Sequence, residues 1–166
     1  MAAHCFALAF GNARKYYVRC AESSLSSWSE FGGRLERSDN ERAAWGQLLG
    51  RGWLGFDETG EIALIRFQAQ PSFTNRHETI QGGFLAAMLD SATGLRALAS
   101  LTSSQTAVTR SLDTRFIKPA SVGPITARAR VVEHTDREIV VEAELVDPQG
   151  VTVAEATARL RILQRK

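Results

Sequence analysis

The sequence predicts an α+β fold, an antiparallel sheet of about five to six strands curled round one long central helix. Three observations carry that prediction. Only the stretch from Asn75 to Leu101 joins a helical period to apolar residues on most of its circumference. Two runs with strand-like alternation precede it and four follow. Nothing else in the chain has enough apolar surface to cover that helix, so the strands must do it.

Composition narrows the classes of function before any motif is read. A chain of 166 residues is long enough for one domain with a real core and too short for two. We therefore expect an N-terminal extension over residues 1–37 and a single domain over 38–166. The formal net charge of +2 is spread along the chain, which argues against a nucleic-acid groove and against a polybasic membrane patch. Asp90 interrupts the best apolar run before it reaches the roughly 18 residues a membrane span needs. Cys5 and Cys20 stand without a CxxC or a histidine at ligand spacing, so neither a disulfide framework nor a metal site is expected. The run CFALAF precedes Arg14, Lys15 and Arg19, the reverse of a secretory signal, and the expected compartment is the reducing cytoplasm.

The elements follow in order. Ser38-Asp39-Asn40-Glu41 starts a short helix, ERAAWGQLL, that Gly50 stops, and its Trp45 and leucines are expected to cover an edge of the core. WLGFD and EIALIRFQAQ form a hairpin around Glu58-Thr59-Gly60, and Pro71 ends its second strand. An irregular polar link from Ser72 to Ile80 holds Asn75, His77 and Glu78 just before the central helix. Phe84, Ala87, Ser91, Gly94 and Leu98 make one stripe of that helix, and Leu85, Met88, Leu89, Ala92 and Leu95 the next. Its charged groups are Asp90 and Arg96, and Asp90 falls among alanines and leucines, where a carboxylate is costly without partners. The runs AVTRSLDTRFI, ITARARVVEHT, EIVVEAELVD and VTVAEATARLRIL then read as four strands divided by turn residues. Thr126, Arg128 and Arg130 alternate with Ile125, Ala127, Ala129 and Val131, the mark of a sheet with one wetted face. Such a sheet has bare edges, and pairing with a second copy would cover one and set two central helices side by side.

The start of the central helix is the first candidate for chemistry. Gln81-Gly82-Gly83 presents bare backbone amides at the positive end of the helix dipole, where a carbonyl oxygen or an anion would fit. Gly83 and Asp90 lie seven residues apart, hence on nearly one face but roughly 10 Å apart along the axis. Both cannot reach one reacting carbonyl from the same chain. If they cooperate, Gly83 of one subunit meets Asp90 of another.

Asn75, Gln81-Gly82-Gly83 six positions later, Asp90 nine beyond Gln81, and the later strand VTRSLDTRFIKPA together resemble the hot-dog-fold acyl-CoA thioesterases of the phenylacetate-degradation, PaaI-like type. That family reads N-x-x-G-x-x-H-G-G, an acidic residue seven beyond the second glycine, and a serine or threonine on the next strand. The resemblance covers Trp53 to about Leu163 and implies a homodimer, extending to a dimer of dimers, that hydrolyses an acyl-CoA to free acid and coenzyme A. It implies no metal and no separate cofactor. The Gly83 amide would bind the thioester carbonyl beside Gly82, while Asn75 orients the loop or the thioester. Asp90 of the facing subunit would act as general base or nucleophile, and Thr109 would orient the attacking water. Arg110, Arg115 and above all Lys118 would hold the phosphates of coenzyme A.

The sequence departs from the family at two positions. Gln81 stands where histidine is usual and cannot take up a proton. Glu78 stands where glycine is usual. Both keep a second reading open, that of a non-catalytic acyl-CoA-binding hot-dog protein.

Overall fold

The computed structural model describes residues 44–165, preceded by the backbone of a two-residue ladder that pairs β1 (Ala7–Leu8) with β2 (Tyr16–Tyr17). The rest of the 1–37 extension, both cysteines, the expected helix start at Ser38–Glu41 and the side chain of Trp45 lie outside the described residues.

The short helix α1 (Ala44–Leu48) ends where Gly50 turns left-handed at φ 58°. The Gly50 amide donates to Gln47 O at 3.0 Å and the Arg51 amide to Gly46 O at 2.9 Å, which closes the helix. A Cβ at Gly50 would lie 2.6 Å from Cβ of Gln68, so both the backbone and the space require glycine there.

Six strands follow: β3 (Gly52–Phe56), β4 (Ile62–Ala69), β5 (Gln105–Phe116), β6 (Gly123–His134), β7 (Glu138–Val146) and β8 (Thr152–Gln164). They form one open antiparallel sheet in the order β3-β4-β6-β7-β8-β5. The β3–β4 hairpin is the expected one, and Asp57 organises its turn by accepting from the Glu61 and Ile62 amides at 3.1 and 3.0 Å. A 3-10 turn (Pro71–Phe73) and a loop then lead into the central helix α2 (Gly82–Leu98).

The helix lies on one face of the sheet. Leu85, Met88, Leu89, Ala92 and Leu95 are buried against it, as that stripe required. Beneath them the strands present small side chains, Ala127 and Ala129 on β6, Ala143 on β7, and Ala154, Ala156 and Ala158 on β8, so helix and sheet approach closely. The six-stranded antiparallel sheet carrying one long helix is the expected fold, and the sheet stays open rather than closing round the helix. Gly83, Ala87 and Asp90 are exposed, and Phe84, Gly94 and Leu98 only half-buried, along the face turned away from the sheet.

The two edges of the sheet differ. The β3 edge is five residues long and broken by a bulge between Trp53 and Gly55, with Gly55 at φ 110°. The β5 edge runs for twelve residues and exposes Val108, Thr109, Arg110, Ser111, Asp113, Arg115 and Phe116. At the far end of α2, Arg96 donates from Nε to Glu61 O at 3.1 Å, bonds Ser100 Oγ, and lies 5.3 Å from the centre of the Phe56 ring. That cation complements the helix C-terminus and ties it to the β3–β4 hairpin, while burial lowers the Arg96 pKa from its usual value. Among the described residues no helix is long and apolar enough to cross a membrane.

Candidate active site

The loop before α2 is built on Asn75. Its Oδ1 accepts from the His77 amide at 2.8 Å and the Thr79 amide at 3.4 Å, and its Nδ2 donates to Thr79 Oγ1 at 3.0 Å. The Asn75 amide donates to Thr79 O at 2.8 Å and the Glu78 amide to Asn75 O at 3.0 Å. Asn75 thus ties the loop together through both its backbone and its side chain. At its apex Glu78 adopts φ 61°. This is the motif position where glycine is usual, and the backbone shows why: it takes the left-handed conformation that glycine enters freely. The Glu78 side chain is exposed, as are those of His77 and Arg76.

Three contacts fix the helix start. The Ile80 amide donates to Ala120 O at 2.8 Å, the Gln81 amide to Phe73 O at 2.9 Å, and the Phe73 and Phe84 rings stack 4.1 Å apart at 12°. Gln81 occupies the N-cap position with φ −58° and ψ 134°, its side chain exposed and making no cap hydrogen bond. The Phe84 amide turns back to Gln81 O at 2.9 Å. Among the described residues the amides of Gly82 and Gly83 find no acceptor. They differ in their surroundings. A Cβ on Gly83 would meet nothing within 4 Å, whereas one on Gly82 would lie 3.0 Å from Cζ of Phe116. Gly83 therefore opens on free space and Gly82 is covered on one side by an aromatic ring.

Two turns along the helix, Thr109 Oγ1 donates to Asp90 Oδ1 at 2.8 Å. The structure brings these two residues together from different elements, as the motif implied. It does not bury them. Asp90 and Thr109 are both exposed, because the leucines and alanines next to Asp90 in sequence turn toward the sheet while Asp90 turns away. The partner that a carboxylate among apolar neighbours needs is the threonine hydroxyl.

Of the three cations expected to hold phosphates, two stand on the other side of the sheet. Cross-strand partners share a face, and Arg115 is opposite Glu155 on the wetted face, with its NH1 3.1 Å from Glu155 Oε1. Arg110 is the extra residue of a bulge between Thr109 and Ser111 and reaches Glu138 at 3.7 Å. The single chain does not bring either to the helix start. Lys118 is better placed, just past β5 on the segment whose Ala120 carbonyl receives the Ile80 amide. The wetted face also carries a concavity of about 700 Å³ lined by Arg115, Arg128, Arg130, Glu142, Glu144 and Glu155. The pairs Arg128–Glu144 at 3.0 Å and Arg130–Glu142 at 2.8 Å fill it with mutually satisfied charge, away from Gly83 and Asp90.

Phe116 is the site neighbour that sequence reasoning missed. A strict period of two from Thr109 puts Phe116 on the opposite face, and the bulge at Arg110 returns it to the face of Thr109 and the helix.

Comparison with known proteins bears on the fold and the family. The thioesterase superfamily model matches residues 77–154, from the Asn75 loop to the start of β8. Protein SSO2140 of Saccharolobus solfataricus, which bears an esterase name, is 31% identical over 104 residues, 63% of this chain and 74% of its own. A phenylacetic acid degradation-related protein of Ralstonia eutropha JMP134 superposes with a TM-score of 0.68 at 30% identity, covering 71% of this chain and 89% of that one. The E. coli PaaI protein from the phenylacetic acid degradation operon gives 0.64 at 26%, over 74% and 86%. The BH2602 protein of Bacillus halodurans, solved with CoA, gives 0.58 at 32%, over 60% and 66%. The chain belongs to the thioesterase superfamily, among its hot-dog members of the PaaI-like type.

Proposed function

We propose that the protein is an acyl-CoA thioesterase that works as a homodimer, with each active site shared between two subunits. The observation that carries this reading is the Thr109–Asp90 hydrogen bond on the open face of α2, on the same helix as two amides that find no acceptor among the described residues. Thioester hydrolysis needs a place for the oxyanion and a group that activates water. The Gly83 amide, with Gly82 beside it, is the first and Asp90 the second.

Thr109 orients the carboxylate rather than the water. By donating to Oδ1 it fixes the carboxylate and leaves Oδ2 to take a proton from water. The water oxygen bonds to the acyl carbon, the carbonyl oxygen gathers charge at the amides, and the C–S bond breaks with the pair leaving on sulfur. A thiolate is a good enough leaving group to depart without an acid at Gln81. Attack by Oδ2 itself, through an anhydride that water then opens, uses the same placement. No metal or organic cofactor enters either route.

Seven residues separate Gly83 from Asp90, about 10 Å of helix, so the pair must come from two chains. The long bare edge of β5 and the small residues Gly83 and Ala87, both exposed, and half-buried Gly94 on α2 support pairing through that side, and a dimer of dimers would add a second contact. Lys118 serves the phosphates of coenzyme A in this reading, and Arg110 and Arg115 are left to their partners on the wetted face.

A panel of acyl-CoA esters with free-thiol detection tests the proposal. Wild type releases thiol, Asp90→Asn loses about 10²- to 10⁴-fold in kcat, and Thr109→Val loses about tenfold, the worth of one hydrogen bond to a charged group. Wild-type turnover in Asp90→Asn would exclude it as base and nucleophile. Acyl-CoA binding without thiol release, favoured by Gln81 at the usual histidine position, would make the protein a binding member of the fold.

A further inference from the structure

We infer that Phe116 selects the acyl group, by contact with the carbons next to the thioester carbonyl. This deepens the thioesterase reading of the cleft and rests on it. Phe116 ends β5 on the helix side of the sheet, opposite buried Ala154. Its ring meets Gly82 tip-first. From a Cβ built on that glycine, Cζ is 3.0 Å away and Cε1 and Cε2 are each 3.3 Å away. Yet 56% of Phe116 is exposed, so most of a large apolar ring stands in water next to the two amides without acceptors. Ile117 and Val122, on the segment that follows β5, are exposed as well, at 45% and 43%.

The arrangement divides the labour of the cleft. Amides take the carbonyl oxygen, Asp90 takes the proton, and neither senses what the acyl group carries. Phe116 stands over Gly82 and is therefore within reach of the second to fourth acyl carbons once the carbonyl oxygen lies on the adjoining amide. Gly82 leaves the ring room to stand where it does. A methyl there would press the ring outward and change the wall, even though the amide stayed where it is. Discrimination follows from area and shape at those first carbons, and carbons farther along lie beyond the ring.

The test is binding of S-(2-oxoalkyl)-coenzyme A analogues, which keep a carbonyl but carry no thioester to hydrolyse, to wild type, Phe116→Ala and Phe116→Leu. Acyl parts of two, four and eight carbons and one branched four-carbon group form the series. In Phe116→Ala the preference between the two-carbon and the four-carbon analogues should change by about tenfold, the effect of one or two methylenes in a fitted pocket. Phe116→Leu should fall between, and the step from four to eight carbons should stay within about twofold of wild type. Equal loss for every analogue overturns the assignment, and if sedimentation velocity then shows a changed oligomer, the ring is a subunit contact. A wild type that binds none of the analogues refutes the acyl-CoA reading itself, whereas wild-type preference surviving in Phe116→Ala refutes only the role of this residue.

Discussion

Glu78 holds a backbone conformation that its side chain disfavours. A non-glycine residue in the left-handed region costs about 1–2 kcal/mol, and glycine there gives back about 0.5–1 kcal/mol through the freedom it loses on folding. Glu78→Gly should therefore raise stability by up to about 1 kcal/mol in urea unfolding, with kcat unchanged because the exposed carboxylate touches neither the amides nor Asp90. A loss of stability would mean that the left-handed turn carries no strain worth relieving. The order of Asn75, the glycine pair, Asp90 and Thr109 was legible in the sequence because motif spacing survives folding. The exposure of Asp90 was not. Its neighbours along the chain are apolar, but a helix sends neighbours to different faces, and only the sheet's position says which face is dry.

Strand β5 shows the same limit at the scale of an element. All six strands of the main sheet and the central helix could be read from periodicity and turn residues, since each pattern is local. The bulge between Thr109 and Ser111 left no such trace, for Arg110 is an ordinary strand residue. One inserted residue shifts the phase of everything after it. It turns Arg115, which a strict count from Thr109 places on the helix side, onto the wetted face against Glu155, and brings Phe116 over Gly82 instead. The strand order was likewise hidden, because the path from α2 to the far edge beside β8 depends on contacts distant in sequence. If β5 is the pairing edge, Val108→Lys places a charge in the middle of it. Gel filtration should then show a monomer or a dimer weakened at least about tenfold, with protomer stability within about 0.5 kcal/mol of wild type. An unchanged dimer would move the interface elsewhere.

At the scale of the whole molecule, the proposed sharing of sites has a signature that no single-chain enzyme gives. Asp90→Asn lacks the base and Gly83→Val blocks the amide, so each alone should be inactive. Unfolded together and refolded as a random mixture, half of the dimers are mixed, and each mixed dimer holds one intact site of two. Activity should recover to about a quarter of the wild-type level by that statistical count. No recovery, with subunit exchange verified by mass, would place both groups of each site on one chain.

The unequal borders of the sheet reach further than the active site. One is twelve residues long and open, and the other is five residues broken by a kink before Gly55. A molecule with a single receptive rim can accept one neighbour through it and then has none left to offer. Growth into a ribbon asks every unit to join on both flanks, and a flank this short and kinked disfavours it.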